Sequence, residues 1–117
     1  MQITFDFRAY IAERRAVMAQ QHGETVEALG KTLQQHCCPT VAECGDQLAE
    51  YGLLIQCYAQ QSLMYALLLS QQDLSSSNLS INASQACVCA AKALVQANKV
   101  YLEAVKANAD LRNLAKY

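Results

Sequence analysis

The chain has no tryptophan, one proline, four glycines and two histidines among its 117 residues. So few turn-forming residues leave little room for tight hairpins, which argues against a β-rich fold. Charge is scarce as well. Asp, Glu, Lys and Arg make up 16% of the sequence, against about 25% in ordinary soluble domains. A surface partly covered by a partner or by a second copy is the expectation. Neither sign dominates: nine basic and ten acidic residues give a net charge of -1. That balance offers no general attraction to nucleic acid or to an anionic membrane. Long apolar runs are missing too. The most apolar window, residues 51–70, is broken by Gln56, Gln60 and Gln61, and its longest clean run, 63–69, is too short to cross a bilayer. The first ten residues, MQITFDFRAY, lack the basic and apolar stretches of an export signal. A soluble, cytoplasmic protein is expected.

Catalytic groups are equally sparse. His22 and His36 are the only histidines, no serine or cysteine has an evident base beside it, and no carboxylates pair at apolar positions. General acid–base chemistry needs such groups gathered in a pocket, so no enzyme and no cofactor are expected. The glycines are scattered rather than set in a phosphate-binding loop.

Helix-forming residues are what the chain has in quantity. Pro39 and the Ser-rich stretch at 70–80 break it into three segments, 6–36, 41–72 and 80–115. Together they form one helical domain over 1–117. In the middle segment Val41, Leu48, Ile55, Ser62 and Leu69 recur every seven residues. A row of Cys44, Tyr51, Tyr58 and Tyr65 flanks them on one side, and a flat row of Gly45, Gly52, Ala59 and Ala66 on the other. Rows seven apart drift only about 20° per step, so each keeps to one face of a helix. The first segment pairs Phe5, Ala12, Ala19, Val26 and Leu33 with a second row of Ala9, Ala16, Gly23 and Gly30. The third has Ala86, Ala93, Val100, Ala107 and Leu114 beside Ala90, Ala97, Ala104 and Leu111. The prediction is an all-α, up-down-up bundle of three long antiparallel helices. Its small-residue seams let the axes approach closely. A short extended arm at Ile3, Phe5 and Phe7 is the one place left for strand. On the polar side of the third helix, Lys92, Lys99 and Lys106 stand four residues before Gln96, Glu103 and Asp110, the spacing of surface pairs.

The third helix is too apolar to be covered by one seam. Cys87, Leu94 and Tyr101 widen its apolar arc, and Val88, Val95 and Leu102 widen it further, beyond what a surface helix usually carries. Extensive exposed apolar surface is uncommon on monomers. Completion of the bundle by self-association, or by a client helix, follows as an expectation. Its contact residues would be Tyr51, Tyr58, Tyr65, Val88, Leu94, Val95, Tyr101 and Leu102. In build, alanine- and glutamine-rich helical hairpins of this kind resemble the small cytoplasmic chaperones and adaptors of bacterial secretion systems. That resemblance rests on no specific motif and implies an adaptor or chaperone-like role.

Six cysteines leave a second reading open. HCCPTVAEC, residues 36–44, gathers His36, Cys37, Cys38 and Cys44 around the one proline. Zinc sites favour paired Cys-x2-4-Cys units, and no such pair occurs here. Cys87 and Cys89 would diverge by about 200° on a helix. Most of these thiols are expected to act as small hydrophobes. A soft metal such as Cu(I), which accepts fewer ligands, is the alternative for His36, Cys37, Cys38 and Cys44. Thr40 and Glu43 have the spacing of a capping box, which makes this stretch a turn with Pro39 just outside the second helix. A lowered pKa at Cys44, near a helix N-terminus, is a further possibility that burial would oppose. Arg8, Arg14, Arg15 and His22 lie near one face of the first helix. A nucleic-acid-associated regulator is thus a third reading, behind a solvated polar edge.

Overall fold

A computed structural model describes residues 7–71 and 77–109. Three helices make up nearly all of it: α1 (Phe7–Gln34), α2 (Pro39–Gln71) and α3 (Ser77–Ala107). They run up, down and up in a rod measuring 61 × 20 × 17 Å. No strand occurs among the described residues. The arm expected at Ile3 and Phe5, and the helix expected over 110–115, lie outside them. Phe7, placed in that arm by its spacing, is instead the first residue of α1. The break expected through residue 80 is shorter, because α3 already begins at Ser77.

α2 is the element on which both others lie. Its aliphatic ridge, Val41, Leu48, Ile55 and Leu69, is wholly buried together with Ser62. This is the heptad row anticipated from the sequence. From α1 come Val26, Leu29 and Leu33, and from α3 Ala90, Ala93, Ala97, Ala104 and Val105, to complete one apolar cluster. α1 and α3 touch each other far less than either touches α2.

The α1–α2 seam is a contact between backbones. Gly30 faces Gly45, and seven residues on in opposite directions Gly23 faces Gly52. A methyl group on Gly30 would meet the backbone of Ala49 and lie 2.7 Å from the Gly45 carbonyl oxygen. One on Gly45 would lie 2.7 Å from the Gly30 oxygen. None of these glycines has a left-handed backbone, so close approach rather than conformational freedom accounts for them. The same heptad register sets Ala16 against Ala59 and Ala9 against Ala66, all four buried. A polar clasp closes the edge of this seam. Gln56 Nε2 donates to Glu27 Oε1 at 2.9 Å, and Gln20 Nε2 donates to Gln56 Oε1 at 3.3 Å. The Glu27 carboxyl is held below its ordinary range, first by the Gln56 hydrogen bond and then by Lys31, whose ammonium is 3.0 Å away.

The α2–α3 seam is made by side chains. The Ser62 hydroxyl, fully buried, donates to the Ala83 carbonyl at 2.9 Å. A hydroxyl has one hydrogen, so the Cys87 thiol, 3.1 Å away, is the donor to the Ser62 oxygen. Tyr51, Tyr58, Leu94, Val100 and Tyr101 are half-buried against the core cluster.

Candidate functional site

The HCCPTVAEC stretch is a turn, though not the one its spacing predicts. α1 closes with short bonds from the Gln35 and His36 amides to Thr32 and Leu33. The Ala42 amide then bonds to the Cys38 carbonyl at 3.0 Å, which makes Cys38 the residue flanking α2 and Pro39 its first helical position. There the missing proline N–H costs nothing. Thr40 is thus inside the helix, and the expected capping box is displaced. The turn is held instead by His36, whose Nδ1 accepts the Cys38 amide at 3.0 Å. With Nδ1 accepting, a neutral ring carries its hydrogen on Nε2; the Asn108 amide nitrogen lies 3.1 Å from that atom, so the bond forms with the amide turned to present its oxygen as acceptor. His36 therefore ties the hairpin turn to the end of α3.

This arrangement bears on the metal reading. Both nitrogens of His36 are engaged, Cys37 is exposed and Cys44 is buried. Among the described residues no three His, Cys, Asp or Glu side chains gather as a metal-holding group. His36, Cys37, Cys38 and Cys44 are close in sequence without forming a ligand set. Burial pushes the Cys44 thiol up, with Glu103, Glu43 and Cys38 adding to the rise. The rise runs against an activated thiolate at Cys44, as desolvation of a buried thiol does. All six cysteines are free, with Cys57 exposed and Cys87 and Cys89 half-buried. Of the basic residues of α1, Arg15 and His22 line a groove towards α3, and Arg14 lies over the Tyr10 ring, 6.0 Å from its centre.

What the molecule does present is apolar surface. Along α3, Ile81, Val88, Val95 and Leu102 form a row every seven residues, exposed by 52%, 51%, 51% and 57%. Val88, Val95 and Leu102 were expected at a contact; Ile81 extends the same row and was missed. The other expected contact residues divide between the two flanks of α3. Tyr51, Tyr58 and Val95 line a groove of about 420 Å³ between α2 and α3, with Leu54, Cys89 and Lys92. Leu94 lies on the opposite flank, in a groove of about 280 Å³ between α1 and α3 floored by Ile55 and walled by Met18, Cys87 and Ala91. Tyr65 is half-buried, and Tyr101 packs against the core. Six of the eight expected contact residues thus divide among two grooves and a ridge, and Tyr65 and Tyr101 lie in none of them.

A second apolar face, on α2, escaped the sequence reading. Leu53, Met64, Leu67 and Leu68 are exposed on the side away from the buried ridge, Met64 by 59%. The signal was available: Leu53 and Leu67 are two heptads apart, in a row roughly opposite Ile55 and Leu69. The interspersed Gln60 and the acids upstream disguised it as a polar side. Among the described residues no helix is long and apolar enough to cross a membrane. The chain matches no family model, no curated protein and no solved structure.

Proposed function

We propose that this chain is a helical protein-binding module that presents apolar helix faces to a second copy or to a client helix, in an adaptor or chaperone-like role. The observation that carries this reading is the α3 row of Ile81, Val88, Val95 and Leu102, four aliphatic side chains each more than half exposed in one line. Such a line runs about 32 Å along the helix, and contiguous apolar surface of this kind marks interaction sites. The grooves beside it suit side chains of an incoming helix, the helix-in-groove mode of recognition. Six unpaired thiols suit a reducing compartment, and we place the protein in the cytoplasm. Among the described residues no ligand set gathers for the metal-binding reading, and the near-even charge balance gives the nucleic-acid reading little support.

The test is a paired measurement on the variant Val95→Glu with Leu102→Glu. Both positions are exposed, so the charges stay in water and the helical signal should match the parent. Association with self or with client should fall. A variant that unfolds would place the row inside the molecule, because buried unpaired charge is strongly destabilising. A folded variant that keeps every association of the parent would remove the row from the binding surface.

A further inference from the structure

The two exposed faces differ in charge. α2 carries Glu43, Asp46 and Glu50 and no lysine or arginine. α3 carries Lys92, Lys99 and Lys106 against the single acid Glu103. All seven are exposed. The four-residue spacing predicted that Lys99 would pair with Glu103, but neither makes an ion pair among the described residues, where the pair present is Lys31–Glu27. Helix dipoles favour Glu43 near the start of α2 and Lys106 at the end of α3, but that influence fades within one turn. It does not account for Glu50, Lys92 or Lys99.

The placement of two acids on α2 matches that of two lysines on α3. On the outer side of α2, one heptad row is Glu43, Glu50, Cys57 and Met64, and the row beside it is Asp46, Leu53, Gln60 and Leu67. On the outer side of α3, one row is Ile81, Val88, Val95 and Leu102, and the row beside it is Gln85, Lys92, Lys99 and Lys106. Lay the two faces together antiparallel. Glu43 then meets Lys106, Glu50 meets Lys99, and Met64 meets Gln85. In the neighbouring row Leu53 meets Val95 and Leu67 meets Ile81. The lateral order of the rows agrees as well: turning one helix over and reversing it brings acidic row to basic row and aliphatic row to aliphatic row. Cys57 opposite Lys92 and Gln60 opposite Val88 add no complementarity, and Asp46 opposite Leu102 is a poor match, with Lys99 and Lys106 within a turn on either side.

We infer that the outer face of α3 docks on the outer face of α2 of a second copy, antiparallel, in this register. The inference rests on the protein-binding reading above and names its partner. The two faces lie on different helices and point away from the shared core in different directions, so the contact is head-to-tail, leaving one free face at each end of a pair. Such contacts build rings or open rows. The offset is close to that of the α2–α3 seam inside the chain, where Ser62 meets Ala83 and Cys87. The neighbouring bundle therefore stands level with the first.

Charge reversal tests the register. One variant carries Glu43→Lys with Glu50→Lys, the other Lys99→Glu with Lys106→Glu. All four sites are exposed, and the helical signal of each variant verifies its fold. The parent chain should show a mass by sedimentation that rises with concentration in reductant, and less so in high salt. Each variant alone sets like charges face to face and should bind itself about tenfold or more weakly. Mixed in equal amounts, the two variants have complementary faces again, and the larger mass should return. A parent monomeric at high concentration overturns this proposal, and capture of a client helix by that monomer would leave the protein-binding reading standing. A parent that assembles, with both variants assembling equally well, overturns the α2–α3 pairing and keeps self-association. Parent or basic variant binding to anionic vesicles in place of self-assembly would assign the α3 face to a lipid surface and overturn the proposal.

Discussion

The two seams of this bundle are built from the same small residues and behave differently. Between α1 and α2, glycines bring backbone against backbone, with Gly30 and Gly45 in mutual contact and the Gln56–Glu27 clasp at the edge. Between α2 and α3, alanines meet the aliphatic ridge and the tyrosines of α2, and one buried hydroxyl crosses the gap. At its four glycines the first seam leaves no space for anything larger than hydrogen. The second leaves a groove along its side. Small residues therefore serve two ends in one chain, a lock on one side of α2 and an open margin on the other, and the margin is where binding is proposed.

The largest effect expected from breaking this comparison is at the glycine contact. Gly30→Val or Gly45→Val should destabilise by more than about 3 kcal/mol, at the severe end of overpacking, because the atoms met are backbone and cannot rotate away. Denaturant unfolding followed by helical signal measures it. A cost under about 1 kcal/mol would mean that the seam opens readily. Ser62→Ala probes the other seam. Loss of the bond to the Ala83 carbonyl should cost about 1 kcal/mol, moderated because alanine is content to be buried. A loss above about 3 kcal/mol would make that hydroxyl a second lock. Next comes the exposed ridge: Val95→Glu with Leu102→Glu should change the stability of the isolated chain by less than about 1 kcal/mol, while association falls.

The smallest effect concerns Glu27. Its folded pKa is lowered, so its contribution is complete above the ordinary value near 4.5 and fades as pH falls through the lower folded value. Glu27→Gln should lower the melting temperature slightly at neutral pH, converge on the parent in acid, and so flatten the acid side of the profile. A steeper acid limb in the variant would contradict the sign. The carboxylate sits at the partly exposed edge of the seam, so the change is small.

Much of this was legible in the sequence because heptad rows report directly on which face is buried. Val41, Leu48, Ile55, Ser62 and Leu69 were read as one ridge and are one ridge. The glycine and alanine rows were read as flat seams and lie buried. Element ends were harder. Thr40 and Glu43 have capping-box spacing, but Pro39 can itself begin a helix, and the choice between them depends on where His36 points, which no local pattern encodes. The outward face of α2 was missed for a similar reason. A row reading Asp46, Leu53, Gln60, Leu67 has mixed polarity, and only the burial of the opposite ridge reveals which side faces water.

The glycine seam has a thermal consequence. Burying backbone against backbone hides mainly polar peptide surface, whereas the heat capacity of unfolding rises with apolar exposure and falls with polar exposure. A long seam of this kind should pull the heat-capacity change below the usual value of about 12–15 cal/mol/K per residue. The stability curve of the chain would then be flatter than that of a leucine-seamed bundle of equal length. Calorimetry of the parent chain, held dilute to suppress association, would show this as an enthalpy of unfolding that varies little with temperature.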